Sequence, residues 1–305
     1  MKNIICAILL LIVLSNTVNS TIMPDDIEKS IIFIFTEING EMIPLGTGFF
    51  TAVFDSINDK SIFFPYLVTA KHVLLDSKKN FFKTFYLRLN TIDGHCEYVY
   101  ASMSDSSNSF IKTHHDPIVD IVVLPVAELD HQKYQIKYIP VDWILTREAI
   151  LELPVSEGDE VFFLGLLAHF YGQSRNYPVY RFGNVSLISQ EKIPWRTTNV
   201  TEMHELLLIE SHSIGGNSGS PVFHYMGFAK PSGDLVMRHD YHLLGIIKGS
   251  FLDVNLLEVI DTTLKPIYKD NIGISAVIPA YLLHDILFSE ELVEKRRNAL
   301  IKGIK

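Results

Sequence analysis

Gly215-Gly216-Asn217-Ser218-Gly219-Ser220-Pro221-Val222-Phe223 sets a serine among glycines and runs at once into proline and two apolar residues. Such a run presents a hydroxyl on a tight turn that feeds a strand. Glycine adopts backbone conformations closed to other residues and lets a substrate approach the main chain. A nucleophilic serine needs that setting, because the N–H groups around it can stabilise the oxyanion formed when it attacks a carbonyl. A small-residue turn can equally be only a turn, so the chain on either side decides.

On the N-terminal side lie short apolar or alternating runs broken by turn residues. They are Ile31 to Phe35, Gly46 to Phe50, Phe63 to Val68, Phe85 to Leu89, Glu97 to Ala101 and Ile121 to Pro125, with the strong hairpin signal Asn39-Gly40 after the first. A second series holds Val161 to Leu166, Tyr177 to Ile188, Leu206 to Ile209, Pro221 to Tyr225, Leu243 to Ile247 and Ile272 to Ile278. Many short strands without long helices between them predict an all-β sandwich or barrel. The break between the series falls at Pro140 to Gly158, with a short helix expected around Thr146 to Leu151. From Pro279 the pattern changes. Leu282, Leu283, Ile286, Leu287, Val293, Leu300 and Ile301 recur at helical spacing, and proline suits a first turn. One terminal amphipathic helix is expected over residues 279–305. Its Lys295-Arg296-Arg297 and the lysines at 302 and 305 read as a partner-binding tail or as the solvated end of a helix.

The first twenty residues read as a cleaved secretory signal. Lys2 precedes an apolar run from Ile4 to Leu14 that is too short to span a bilayer, and Val18 and Ser20 are small residues at the cleavage positions. The polar stretch Ser15 to Ser20 argues against an uncleaved anchor, so no membrane association is expected once the signal is gone. The net charge of −9 excludes the basic face that nucleic acid requires. Cys6 leaves with the signal, so Cys96 has no partner within the mature chain, and the fold must rely on its core. That fits a bacterial exported protein, periplasmic or extracellular, and makes Cys96 a half-buried strand residue rather than a nucleophile.

A serine is a weak nucleophile unless a base lies beside it, and a histidine base needs a buried carboxylate to orient it. His72 follows the apolar run Tyr66-Leu67-Val68 at a strand end, where a barrel would present it at an opening. Asp120 enters the fully apolar run Ile121-Val122-Val123-Leu124. A buried carboxylate needs a partner, and an imidazole N–H would serve; an exposed strand start is the alternative. Asp116 competes, but Pro117 holds it in the preceding loop.

These three stretches resemble the trypsin-like, chymotrypsin-fold serine peptidases. Thr69-Ala70-Lys71-His72-Val73 resembles the family's histidine motif, Asp120-Ile121-Val122-Val123-Leu124 its aspartate motif, and Gly216-Asn217-Ser218-Gly219-Ser220-Pro221 its serine motif, in the family's order. Gly46-Thr47-Gly48-Phe49 and Leu244-Gly245-Ile246-Ile247 resemble the strands before the histidine and after the serine. The resemblance implies two six-stranded antiparallel barrels, over residues 21–145 and 146–278, with the C-terminal helix after them. It implies His72, Asp120 and Ser218 as the triad, Gly216 and Ser218 as oxyanion donors, and proteins or peptides as substrates cleaved through an acyl-enzyme. Asn217 stands where the animal enzymes carry the aspartate that receives a new N-terminus, which implies a site assembled without proteolytic activation. The branch it resembles is the bacterial glutamyl-endopeptidase and Deg-like one, without room for a PDZ domain. The glutamyl enzymes' specificity histidine is replaced by Ile247.

His212, six residues before Ser218, and Lys248 are candidates for the substrate pocket. His114-His115 and His239-x-x-His242 lack a third ligand at metal-binding spacing, so neither metal nor cofactor is expected. Asn184-Val185-Ser186 and Asn199-Val200-Thr201 are glycosylation acceptors only in a eukaryotic host. An α/β-hydrolase would place Ser before Asp before His, the reverse of the order here. The reading from a different class is a catalytically silent protease-fold binding protein or secreted effector.

Overall fold

A computed structural model describes residues 26–57, 60–102, 111–152, 155–196, 200–229, 236–256 and 267–303. The signal segment expected over residues 1–20, Asn199 and the side chain of His239 lie outside the described residues. The first half carries β1 (Ile31–Ile38), β2 (Glu41–Ile57), β3 (Lys60–Ala70), β4 (Thr84–Asn90), β5 (Cys96–Ser102), β6 (Lys112–Thr113), β7 (Ile121–Pro125) and β8 (Ile139–Pro140). After α1 (Arg147–Glu152) come β9 (Glu160–Gly165), β10 (Val179–Ile188), β11 (Ile193–Arg196), β12 (Thr201–His204), β13 (Leu207–Glu210), β14 (Pro221–Ala229), β15 (Val236–Leu256) and β16 (Ile267–Pro279). The chain is mostly β, as its rhythm of short apolar runs predicts.

Local chemistry sets several of these boundaries. β1 and β2 pair from Ile38 opposite Glu41, so Asn39 and Gly40 form the two-residue loop. Both have positive φ, 54° and 82°, the mirror-image turn whose twist matches that of the strands. The Thr146 hydroxyl accepts the Ala149 N–H at 3.1 Å and caps α1.

The second half closes as a six-stranded barrel in the order β10-β13-β16-β15-β14-β9. The first half departs from the expected six strands. It is an eight-stranded sheet in the order β5-β4-β1-β2-β3-β7-β6, with β8 pairing β2. β6 and β8 are two residues each, too short to leave any alternation in the sequence. One core runs through both halves, joining Phe33, Phe49 and Val68 to Phe162, Phe223 and Leu283.

The C-terminal segment is two helices instead of one, α2 (Ala280–Leu287) and α3 (Glu290–Gly303). Leu282, Leu283, Ile286 and Leu287 of α2 are buried. Its last turn ends at Phe288, and Glu290 and Glu291 then sit in the first turn of α3, where the helix dipole favours acids. Arg296 is 2% exposed and is not part of a free basic tail. It donates to Asp55 Oδ2 at 2.6 Å, to the Tyr66 hydroxyl at 3.2 Å and to the Leu287 carbonyl at 2.7 Å. It thereby fixes α3 to β2 and β3 and caps α2. Lys295 is exposed and pairs along the helix with Glu291 at 2.9 Å.

Candidate active site

Strand register brings the histidine and the aspartate together. β3 and β7 are antiparallel, with Ala70 opposite Ile121, so the chain leaving β3 passes the chain entering β7. The Lys71 N–H donates to the Asp120 carbonyl at 3.0 Å. The tight turn Lys71–Leu74 then places His72 over the Asp120 side chain. Oδ2 accepts the His72 Nδ1–H at 2.7 Å, and Oδ1 accepts the His72 backbone N–H at 2.9 Å. The Lys71 ammonium fastens the approach to β7 by donating to the carbonyls of Pro117 at 2.6 Å and Val119 at 3.1 Å. Asp116 stays in its loop, its Oδ1 accepting the Ile118 N–H at 3.0 Å.

Asp120 is 6% exposed. Burial alone would raise its carboxyl, but the facing His72 and Lys248 outweigh burial and hold it well below the usual carboxylate range. An ionised carboxylate can only accept, so His72 carries a proton on Nδ1, and in its neutral form the Nε2 lone pair is free. Its side chain is 44% exposed, which leaves Nε2 open to the cleft.

The serine turn is held from both halves. From β2, the Thr47 N–H donates to the Ser218 carbonyl at 2.9 Å, and the Thr47 hydroxyl donates to the Gly216 carbonyl at 2.7 Å. From β15, the Ile247 carbonyl accepts the Gly219 N–H, and the Ser220 carbonyl accepts the Ile247 N–H, both at 2.9 Å. Gly219 has φ +88°, and a Cβ there would lie 2.0 Å from the Thr47 carbonyl oxygen, so glycine is required. Asn217 is 1% exposed; its Oδ1 accepts the Ile214 N–H at 2.9 Å, and its Nδ2 donates to the Leu166 carbonyl at 3.0 Å.

This clasp sets two N–H groups free. The Gly215 carbonyl accepts the Ala168 N–H at 3.4 Å, and the Asn217 carbonyl accepts the Ser220 N–H at 3.0 Å. In a trans peptide the N–H points opposite its carbonyl, so the N–H groups of Gly216 and Ser218 are turned away from those partners. Among the described residues neither donates a hydrogen bond. The Ser218 hydroxyl donates to the Lys248 carbonyl at 3.2 Å, and among the described residues no hydrogen bond joins it to His72.

Lys248, a candidate for the substrate pocket, is 7% exposed, and its ammonium donates to Asp120 Oδ2 at 2.8 Å. It also borders a cavity of about 590 Å³ lined by His72, Trp195, Glu202 and His204. His212, the other candidate, is exposed and lies against Gly273. The cavity beside Ser218, about 370 Å³, is lined instead by Ser213, Ile214, Gly215, Ile247, Gly249 and Ser250. The Ser213 and Ser250 hydroxyls lie 2.6 Å apart, and the Ser275 hydroxyl lies 2.8 Å from that of Ser213.

Sequence reasoning missed the Lys248–Asp120 pair, the Thr47 clasp and the hairpin of β11 and β12 that carries Trp195 and His204. A signal for the first existed. Lys248 stands in an apolar run, as Asp120 does, and two buried opposite charges each need a partner. Among the described residues no group of three or more His, Cys, Asp or Glu side chains is arranged to hold a metal. His114 packs its ring on His115 at 4.0 Å, and its Nε2 lies 3.6 Å from Asp285.

No family model and no curated protein matches the sequence. Among solved structures, human heparin binding protein is similar to this chain with a TM-score of 0.42 and 13% identity, covering 86% of this chain and 91% of that one. A mutant of the same protein gives the same values. An atomic resolution structure of it gives 14% identity over the same shares, also at TM-score 0.42. That likeness is too distant to carry anything about chemistry.

Proposed function

We propose that this chain is an exported serine endopeptidase that hydrolyses peptide bonds through His72, Asp120 and Ser218. The observation that carries the reading is the 2.7 Å bond from His72 Nδ1–H to the buried Asp120 carboxylate, which leaves Nε2 as a base at the cleft. In this reading the Ser218 hydroxyl leaves the Lys248 carbonyl and gives its proton to His72 Nε2 as Oγ attacks the substrate carbonyl. The N–H groups of Gly216 and Ser218 receive the oxyanion. His72 passes the proton to the departing amine, and water then hydrolyses the acyl-enzyme by the same steps reversed. Asp120 fixes the tautomer and stabilises the imidazolium.

Asn217 supports a site that needs no activation cleavage. Its neutral side chain is satisfied by two backbone groups, so no ion pair with a new N-terminus is required to shape the turn. The placement in the bacterial glutamyl-endopeptidase and Deg-like branch, and export to the periplasm or beyond, belong to this proposal. A preference for glutamate does not, because the described residues lining the cavity beside Ser218 include no basic side chain.

The second reading, a catalytically silent binding protein on a protease frame, is favoured by one observation: the Ser218 hydroxyl engages the Lys248 carbonyl rather than His72. Cleavage of a peptide library by the wild type and by Ser218→Ala separates the two. The endopeptidase reading expects cleavage that is lost in the folded variant. Undiminished cleavage by Ser218→Ala would overturn it.

A further inference from the structure

Lys248 touches both ends of the site. Its ammonium lies 2.8 Å from Asp120 Oδ2, the same oxygen that binds His72 Nδ1 at 2.7 Å. Its carbonyl accepts the Ser218 hydroxyl at 3.2 Å. Lys248 and Asp120 have side chains only 8% exposed, so the pair is screened little by solvent. The Trp195 ring lies 5.4 Å from the ammonium and covers it. A lysine buried in this way stays only where a specific carboxylate receives it.

We infer that Lys248 is a positioning residue that shares the Asp120 carboxylate with His72 and so sets the pH range over which His72 can act as a base. The inference rests on the reading of His72 as that base. Its physical content is a competition. With Asp120 as its sole charged neighbour, protonated His72 would gain the full attraction of a buried carboxylate. Lys248 occupies half of that oxygen's hydrogen-bonding capacity and adds a positive charge of its own, which disfavours a second cation beside it. The attraction that Asp120 offers a protonated His72 is thereby divided, so the imidazolium formed during the reaction receives less support.

Other charges face the pair. Lys71 comes from the turn after β3, Asp76 and Lys79 from the loop that follows it, Asp116 from the loop before β7, and Glu202 and His204 from β12. Burial, and then the charge of Lys248, lower His204 from its ordinary value against the opposing pull of Glu202. Behind Asp120 a smaller cavity of about 180 Å³ is bordered by His114, His115, Arg147, Lys192, Glu205 and Asp285. All of these remain in place when Lys248 alone is changed.

The test compares wild type with Lys248→Met and Lys248→Gln. Two readouts are taken: the pH profile of kcat/KM on a peptide substrate, and the titration of the His72 ring followed by nitrogen-15 NMR, which resolves it from His204. In both variants the acid limb and the His72 titration midpoint are expected to move upward by about one pH unit, roughly a tenfold change in the proton concentration at half-activity. Gln keeps a side-chain N–H for Asp120 but carries no charge, so a shift in Gln equal to that in Met assigns the effect to charge. It also serves if Met does not fold. An unmoved titration in a folded variant overturns the inference, even if kcat/KM falls, because a purely structural lysine would produce that. If the wild type hydrolyses nothing while the NMR midpoint still moves, the endopeptidase reading fails, and what stands is the coupling of Lys248 to His72 through Asp120.

Discussion

At the Asp120 end of the cleft both carboxylate oxygens are engaged, whereas at the Ser218 end two N–H groups and a cavity stand open. Asp120 accepts from His72 twice and from Lys248 once, and its own carbonyl takes the Lys71 N–H. Among the described residues the Ser218 hydroxyl makes a single 3.2 Å bond to a carbonyl, beside N–H groups of Gly216 and Ser218 that donate to none of those residues. The contrast separates two duties. An orienting group must be overdetermined, because a buried charge tolerates no vacancy. A reacting group must keep its partners uncommitted until a substrate supplies them, so its frame is rigid while its hydroxyl and donors are not engaged with one another.

Substitutions break the two ends differently. The largest combined effect on activity and stability belongs to Asp120→Asn, which removes the carboxylate that fixes the His72 tautomer; hydrolysis is expected to fall by about 10⁴-fold in steady-state assays. The same variant strands the Lys248 ammonium without its carboxylate, and denaturant titration should show a loss of about 3–5 kcal/mol. Ser218→Ala removes only a weakly held hydroxyl and should leave the midpoint within about 0.5 kcal/mol of wild type while activity is lost. A comparably large stability loss in Ser218→Ala would erase the distinction between the two ends.

Acid acts on the Asp120 end. The folded-state value of Asp120 is depressed, so the stability its ionised form contributes is fully present above the unfolded carboxylate value near 4. It is lost as pH falls through the depressed folded value. The Asp120 carboxyl itself therefore adds no pH dependence to the gap between wild type and Asp120→Asn above about pH 4, and the gap is expected to narrow below it. A gap that widens on acidification would contradict the ionised, shared carboxylate.

Smaller effects follow. Asn217→Ala leaves the Ile214 N–H and the Leu166 carbonyl without their side-chain partner, and a loss of about 2 kcal/mol is expected in thermal or denaturant unfolding. The least belongs to Lys295→Ala on the surface of α3, within about 0.5 kcal/mol, because an exposed pair spaced i to i+4 is worth little.

Much of this was legible in the sequence, for reasons that differ from residue to residue. The strands of both halves show as alternating or apolar runs, and Asn39-Gly40 could hardly form anything but its tight turn. Ser218 was legible because its glycines are demanded locally by backbone geometry. His72 and Asp120 were legible because a strand end and an apolar run each limit where a polar group can sit. Lys248 was visible as a charge in an apolar strand, but its partner lies 128 residues away and only the fold brings the two together. β6 and β8 are too short for periodicity, and the break between α2 and α3 falls where apolar spacing continues through it. The cavity beside Ser218 is lined in part by Ser213 and Ser250, a residue type too common in loops and strands to stand out.

Activation of Ser218 by His72 can be read out chemically, by exposing the folded protein to a fluorophosphonate and locating the adduct by mass spectrometry. A single stoichiometric adduct on Ser218 is expected, absent in His72→Ala. A folded wild-type protein that leaves Ser218 unmodified would contradict it and give the frame to the silent binding protein.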